Sequence, residues 1–320
     1  MKYCLIVNPH SRGGRAKVLA ERCVRDLARQ GCSFDTEVVR DFQQAYTLSQ
    51  KANSRGYDVI VAIGGDGTLN RVMNGFYDLS GKRVSEARFG VLHTGTSPDF
   101  CKSYGVPLDL KEAVQSLVDR KTRTIPVGRI RCAHEFQRDN EGKTIDEVRD
   151  ANVAYFACCA NVGLGAALAR KANAGIRKYL GDAPGTFLSL LQILSRYRPG
   201  RYDAVYDAER VRLEDVLNVS IGLTQHIASG IKSYKGNMDT RNRFYIITVR
   251  RITLRNVGPM LYRVYSGKEY ENTEYLSMTE AGTIDILGSG MNTEIEYDGD
   301  PGGFLPCSVD IAPDRLELIV

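Results

Sequence analysis

Several features that would each point to a particular class of protein are missing from this chain of 320 residues. It has no run of about 18 apolar residues, the length that a membrane-spanning helix needs. Its eight cysteines form no CxxC pair, so the sequence favours reduced, buried thiols over disulfides or a zinc site. Its four histidines show no ligand spacing, which argues against a histidine-based metal centre. We therefore expect a cytoplasmic protein without a transmembrane helix.

The charge balance is mildly basic. Lysine and arginine together number 43 against 38 acidic residues, a formal net charge of +5. This excess permits a phosphate-bearing ligand or contact with an anionic membrane, and it does not require nucleic acid. The length favours two domains over one.

The order of strand and helix patterns divides the chain in two. Apolar strands such as YDVIVAI alternate with helical patterns over the first 120 residues or so, which predicts a parallel sheet. Beyond this point many short strands are separated by turn residues, which is typical of an antiparallel sandwich or barrel. We predict an α/β domain with a Rossmann-like parallel sheet at residues 1–124, to which a last strand at about 314–320 returns, and an antiparallel β-sandwich domain at residues 125–313.

A glycine-rich turn, GGDGT at residues 64–68, follows one of these strands and precedes a helix expected from Leu69. Glycines let backbone N–H groups converge on an anion, and a helix N-terminus favours phosphate. Thr68 is expected to cap the helix or to contact phosphate. Asp66 fits this arrangement if Mg²⁺ lies between it and the phosphate, or if it takes a proton from an incoming hydroxyl.

Two further strand ends carry residues of the same kind. NPHSRGGR at residues 8–15 is a second candidate phosphate site, and HTGTSPDF at residues 93–100 brings Gly95, Thr96 and Asp99 to the same sheet edge. Neither the P-loop lysine nor the GxGxxG dinucleotide pattern is present. Three strand ends that converge on one crevice indicate a phosphoryl-transfer site.

The set NPHSRGG, GGDGTLN and GTSPDF resembles the diacylglycerol-kinase catalytic-domain family, which includes bacterial lipid kinases and sphingosine kinases. The segments ANVGLGAALARKAN and YDGDPG extend the resemblance over most of the chain. It implies an ATP-dependent lipid kinase, with Mg²⁺ as cofactor and the nucleotide in a cleft between the domains. The resemblance also implies a role in phospholipid metabolism.

The resemblance implies the following site residues. Asp66 and Asp300 are the catalytic candidates, with Asp66 also the candidate metal ligand and Asp300 at the position of the family's proposed proton acceptor. The candidate nucleotide-binding residues are Asn8, Ser11, Gly13, Gly14, Gly64, Gly65, Asp66, Gly67, Thr68, Leu69, Asn70, Gly95, Thr96 and Asp99.

Some residues depart from the family pattern. The family usually has glutamate where this chain has Asp300, and Pro98 and Arg71 also replace usual residues. These departures leave two alternatives open: a homologue that binds nucleotide or lipid without catalysis, and a kinase of a soluble nucleotide such as NAD. The second would use a pair such as Asn140-Glu141, which lies in a charged segment.

The acceptor is expected to reach the protein from a membrane. TFLSLLQILSRYR, at residues 186–198, predicts a largely apolar helix beside arginines. Such a helix can touch an anionic membrane or line a lipid pocket, and it can equally pack on the β-rich domain. We expect a lipid partner, peripheral contact at the inner membrane face, no nucleic acid, and a homodimer as one assembly open to the chain.

Overall fold

The computed structural model describes residues 1–10, 15–41, 43–95, 98–135, 142–148, 151–171, 197–227, 231–232, 242–250, 258, 272–288 and 293–320. These residues divide into two compact units, residues 1–127 with 312–320, and residues 128–311. Whether the units are the functional domains expected at residues 1–124 and 125–313 stays a prediction. Within the described residues, the helices are too short or too polar to cross a membrane.

The first unit contains the expected Rossmann-like sheet. Its strands are β1 (Lys2–Val7), β2 (Ser33–Val38), β3 (Val59–Gly64), β4 (Arg88–His93), β5 (Thr122–Ile125) and, from the end of the chain, β18 (Leu316–Ile319). They lie in the order β2-β1-β3-β4-β18-β5, and every pair is parallel except β18 with β5. The described helices of this unit are α1 (Arg15–Arg29), α2 (Gln44–Ser54), α3 (Asp66–Asn74), α4 (Asp99–Tyr104) and α5 (Leu110–Asp119).

Strand β3 shows why this sheet forms. All six of its residues are buried, as expected for a central parallel strand that is covered on both faces. The core on one side takes apolar residues from β1, β3, α1 and α5, among them Leu5, Val61, Leu27 and Leu117. The parallel α/β prediction for this part of the chain is confirmed.

The second unit is antiparallel. Its strands are β6 (Gly128–Ala133), β7 (Ala151–Phe156), β8 (Cys159–Gly163), β9 (Gly200–Tyr206), β10 (Glu209–Gly222), β11 (His226–Ile227), β12 (Ile231–Lys232), β13 (Phe244–Arg250), β14 (Leu276–Ala281), β15 (Ile284–Ile286), β16 (Glu294–Tyr297) and β17 (Asp300–Ile311). In the described part of this unit, the 3-10 turn Ile145–Glu147 and helix α6 (Leu164–Lys171) accompany them.

The strand pairings of this sheet form a closed ring. The sequence β10-β8-β16-β17-β15-β9 closes because β9 also pairs with β10, so six strands form a ring. Strands β13 and β14 extend it from β10, while β6 and β7 extend it from β17. Alternate residues point into one apolar core, which includes Ile130, Phe156, Val219, Phe244 and Ile295. The antiparallel, β-rich prediction is confirmed, with a closed ring inside it.

Candidate functional site: a strand-end site and an acidic hairpin

The turn after β3 is tighter than the sequence suggested. Gly65 is the N-cap residue of α3, with extended backbone angles and no side-chain cap, and the helix begins at Asp66. The expectation of a start at Leu69 and a cap by Thr68 is wrong, because Gly65 takes the N-cap position, where glycine is well tolerated, and the helix begins three residues earlier. The Asp66 carboxylate therefore stands in the first helical turn, where the helix dipole favours negative charge.

Thr68 joins this turn to the end of β1. Its side chain is buried, and its Oγ1 accepts a hydrogen bond of 2.8 Å from Asn8 Nδ2. The backbone N–H of Asn8 also donates to the carbonyl of Ile63 at 2.8 Å. Two of the three predicted strand ends are thus directly bonded to each other.

The end of β4 meets the same turn. The backbone N–H of Thr94 donates to the carbonyl of Gly64 at 2.8 Å. A Cβ added to Gly95 would lie only 2.6 Å from the Cα of Gly65, so the two backbones touch where neither residue has a side chain. The three strand ends therefore meet, as predicted, and we call Asn8, Gly65, Asp66 and Gly95 the strand-end site.

His93 is a further member of this neighbourhood, outside the predicted site residues. Its Nε2 lies 3.4 Å from Asp66 Oδ1, and the histidine side chain is 5% exposed against 22% for the aspartate. Both atoms are buried and neither makes a hydrogen bond. The available signal was its position at the end of β4, two residues before Gly95.

The remaining predicted residues of this unit fall in different places. Gly67, Leu69 and Asn70 lie within α3, where Leu69 and Asn70 are buried. Asp99 is the buried first residue of α4. Four others lie outside the described residues: Ser11, Gly13, Gly14 and Thr96. The structure therefore brings Asn8, Gly65, Asp66 and Gly95 together.

In the second unit, Asp300 lies at the end of a tight hairpin. Tyr297 of β16 pairs with Asp300 of β17, and the two residues between them, Asp298 and Gly299, have φ angles of 49° and 88°. Positive φ at both central positions is the pattern of a type I′ turn, for which Asp-Gly is a preferred pair. Asp300 itself is 7% exposed. We call residues 296–300 the acidic hairpin.

Asp298 ties this hairpin to the connection between β7 and β8. Its carboxylate accepts hydrogen bonds from the backbone N–H groups of Ala157, Cys158 and Cys159, at 2.8, 2.9 and 3.1 Å. A carboxylate that receives three N–H donors is a strong anchor. The side chain of Asp298 therefore has a structural role, which is to hold the hairpin to residues 157–159.

Glu296 is the third carboxyl of the acidic hairpin. It is buried, its Oε2 accepts from the N–H of Gly299 at 2.8 Å, and its Oε1 accepts from Asn161 Nδ2. The pKa of Glu296 is raised to about 8, chiefly by burial and also by the carboxyls of Asp298 and Asp300, against the lowering effect of these two donors. Sequence reasoning missed Glu296 because its partner Asn161 is 135 positions away.

The described residues contain no group of three or more histidine, cysteine, aspartate or glutamate side chains that could hold a metal ion. A metal at the strand-end site would therefore depend on Asp66 together with oxygens of a bound ligand. Mg²⁺ tolerates this, since it often binds through one or two carboxylates and substrate phosphates. The buried Oδ1 of Asp66, which makes no hydrogen bond, is an atom suited to that role.

Comparison with known proteins shows that the chain is similar to diacylglycerol kinases. Residues 2–130 match the family model described as diacylglycerol kinase catalytic domain. A diacylglycerol kinase of Mycobacterium tuberculosis is 26% identical over 99% of this chain and 94% of its own length. A diacylglycerol kinase of Bacillus subtilis is 23% identical over 94% and 90%, respectively.

The solved structures agree in fold. The crystal structure of a diacylglycerol kinase from Bacillus anthracis superposes with a TM-score of 0.67 at 19% identity, covering 99% of this chain and 96% of that one. The similarity therefore extends over both units. The chain is therefore similar to the diacylglycerol kinase catalytic domain over residues 2–130 and to bacterial diacylglycerol kinases over nearly its whole length.

Proposed function

We propose that the protein is a lipid kinase that transfers the γ-phosphate of ATP to a hydroxyl of a lipid such as diacylglycerol or a sphingoid base. The observation that carries the proposal is the strand-end site, in which three strand ends meet around Asp66. Because Gly65 and Gly95 carry no side chain, phosphate oxygens can approach the main-chain N–H groups of these turns. Phosphoryl transfer is catalysed by such positioning together with charge neutralisation.

In this proposal Asp66 holds Mg²⁺ against the phosphates of ATP. The ion supplies positive charge that neutralises the phosphate oxygens. Asp66 is suited to the task because its Oδ1 is buried without a hydrogen bond, which leaves that oxygen available to a cation. The neighbouring His93 ring limits the directions in which the carboxylate can turn.

Asp300 is the proposed proton acceptor for the lipid hydroxyl. The type I′ turn and the strand pairing of β16 with β17 fix its backbone, and a general base must be held within hydrogen-bond reach of the proton it removes. Aspartate is one methylene shorter than the family's usual glutamate. The position of the acidic hairpin therefore determines whether the carboxylate reaches its substrate.

The acceptor is proposed to be presented at a membrane surface. The sequence basis is the apolar pattern at residues 186–198 with its adjoining arginines, most of which lies outside the described residues. A lipid with a long acyl chain resides in a bilayer or micelle, so turnover should depend on the surface concentration of the acceptor. Peripheral contact at the inner membrane face and a homodimer stay predictions.

The test is ADP release by the full-length protein with Mg-ATP and a panel of acceptors. The panel contains diacylglycerol, a sphingoid base, ceramide and phosphatidylglycerol in mixed micelles, with NAD as the soluble acceptor. We expect turnover that depends on one of the lipids and that is absent without lipid. Asp66→Asn should abolish it, whereas Asp119→Asn, at an exposed position of α5, should leave it unchanged.

Two outcomes would contradict the proposal. Turnover with NAD alone would favour the soluble-nucleotide kinase, although its candidate pair Asn140-Glu141 lies outside the described residues. Nucleotide binding without turnover on any acceptor would favour the non-catalytic homologue.

A further inference from the structure

A buried chain of hydrogen bonds ends on Glu296. The N–H of Gly165, near the start of α6, donates to Asn218 Oδ1 at 2.7 Å, and Asn218 Nδ2 donates to Asn161 Oδ1 at 3.0 Å. Asn161 Nδ2 then donates to Glu296 Oε1. Every donor in this chain points the same way, towards the carboxyl, and such aligned bonds polarise one another.

The chain crosses three neighbouring strands. In the sheet, Asn161 of β8 lies opposite Glu296 of β16 on one side and opposite Ser220 of β10 on the other. Ser220 adds a hydroxyl that donates to Asn161 Oδ1 at 2.5 Å. The polar residues alternate along their strands with Val162, Val219 and Ile295, which belong to the apolar core. They therefore form a separate polar row on the other face of the sheet, beneath α6.

The second carboxyl oxygen of Glu296, Oε2, binds the turn of the acidic hairpin. It accepts from the N–H of Gly299, the second residue of the tight turn. Asp298 holds the first residue of the turn through its bonds to residues 157–159. The segment that leads directly into Asp300 is therefore fixed from two sides, and Glu296 supplies the attachment next to Asp300.

Packing alone does not require a carboxyl at this position. Burial of a carboxyl is costly compared with burial of an apolar side chain of similar size. The raised pKa of Glu296 expresses this cost, since desolvation is its largest cause. A buried glutamate here is best explained by what its oxygens hold.

We infer that Glu296 is a positioning residue, which holds the turn at Gly299 so that the short carboxylate of Asp300 stands where the acceptor hydroxyl must lose its proton. This inference rests on the proposed function. It assigns to the network of Gly165, Asn218, Asn161 and Glu296 the task of fixing one catalytic side chain. Because aspartate has one torsion fewer than glutamate, its reach depends more on where its backbone is held.

The first experiment measures steady-state kinetics of the full-length protein with its lipid acceptor. Glu296→Gln keeps the shape but offers one carbonyl oxygen to two donors, and Glu296→Met removes both acceptors while it keeps the volume and adds no buried charge. We expect either change to lower kcat by tenfold to a hundredfold, the effect of a displaced catalytic group, with the KM for ATP unchanged within about twofold. Glu294→Gln, on the same strand, is the matched control.

A double substitution separates positioning from a general structural role. If Glu296 acts through Asp300, Glu296→Gln should cause no further loss in the Asp300→Asn background. An equal loss in both backgrounds would overturn the inference, as would wild-type kcat in Glu296→Met. Urea unfolding of Glu296→Met measures the fraction that is folded under the assay conditions, so that a loss of kcat can be separated from unfolding.

A second readout does not depend on catalysis. Amide exchange at Gly299, followed by NMR, should be at least tenfold faster in Glu296→Gln and unchanged in Glu294→Gln. If the wild type shows no turnover with any lipid, the proposed function fails, while faster exchange would still support the attachment of Gly299 by Glu296. Unchanged exchange at Gly299 would overturn the inference whatever the kinetics show.

Discussion

Asp66 in the first unit and Glu296 in the second hold their carboxyl groups in opposite ways, since both oxygens of Glu296 accept hydrogen bonds. In the first unit, Asp66 stands at the open end of a sheet, with 22% of its side chain exposed and a buried oxygen that makes no hydrogen bond. In the second, Glu296 and Asp300 lie in a hairpin and are 6% and 7% exposed. In the proposed function, Asp66 must keep an oxygen available to a cation, whereas Asp300 must be aimed at a hydroxyl and therefore needs a rigid backbone.

The largest expected effect tests the first half of this comparison. Asp66→Asn should lower kcat by about a hundredfold to a thousandfold, since an amide would hold Mg²⁺ less well than a carboxylate does, and loss of one transition-state contact has this order of effect. Kinetics with the preferred lipid at saturating Mg-ATP measure it. The exposed Asp119→Asn controls for a change of charge, and a loss below tenfold would contradict the role given to Asp66.

The buried carboxyl of the second unit should make stability depend on pH. The folded pKa of Glu296 is raised to about 8, above the usual 4.5. The folded state therefore holds more protons than the unfolded state between these values, and stability is lost as the pH rises through this range. The free energy of unfolding of the wild type, relative to Glu296→Gln, should fall by up to about 1.4 kcal/mol per pH unit.

Urea unfolding at pH 5, 6, 7 and 8 measures this difference. Below about pH 4.5 the difference should level off, because both states are then protonated. Glu294→Gln should retain the wild-type slope. Parallel curves for the wild type and Glu296→Gln would show that Glu296 is ionised in the folded protein.

A smaller effect is expected where the two glycines of the strand-end site touch. Gly95→Ala would place a methyl group 2.6 Å from the Cα of Gly65, whereas Gly65→Ala would meet the Cα of Gly95 at an ordinary 3.4 Å. We expect Gly95→Ala to lower the free energy of unfolding by about 1–3 kcal/mol, as overpacking does. Thermal unfolding of both variants checks the asymmetry, and equal stability would contradict the close approach.

The meeting of the three strand ends could be predicted from the sequence, because each strand end is marked by residues that are neighbours in the chain. Gly65, Asp66 and Gly95 each follow an apolar strand, and the carboxyl ends of parallel strands meet at one edge of a sheet. What it did not give is the side-chain arrangement: that Thr68 bonds to Asn8, or that His93 faces Asp66. These contacts depend on strand neighbours that are far apart in the chain.

In the acidic hairpin, the turn could be predicted from the sequence but the burial of Glu296 could not. Asp298-Gly299 between two strand patterns is a legible hairpin signal, so the turn before Asp300 could have been predicted. Glu296 could not, because its burial follows from the pairing of β16 with β8 and β17. An isolated glutamate in an alternating strand reads as a solvent-facing residue until that pairing is known.

The smallest expected effect concerns the bond between the first two strand ends. Thr68→Val removes the acceptor of the Asn8 side chain at nearly constant shape, and loss of a buried hydrogen bond costs about 1 kcal/mol. Chemical unfolding measures this cost. Thr68→Ser, which keeps the hydroxyl, should retain the hydrogen bond but lose the methyl contact with Gly64, so its stability separates the two contributions.

The central claim is that the strand-end site binds the phosphates of ATP. Its most direct test is a crystal structure of the full-length protein with Mg²⁺ and a non-hydrolysable ATP analogue. We predict density for the phosphates beside Gly65 and Gly95, with the cation on Asp66. Phosphate density elsewhere on the protein, with this sheet edge unoccupied at saturating analogue, would contradict the account.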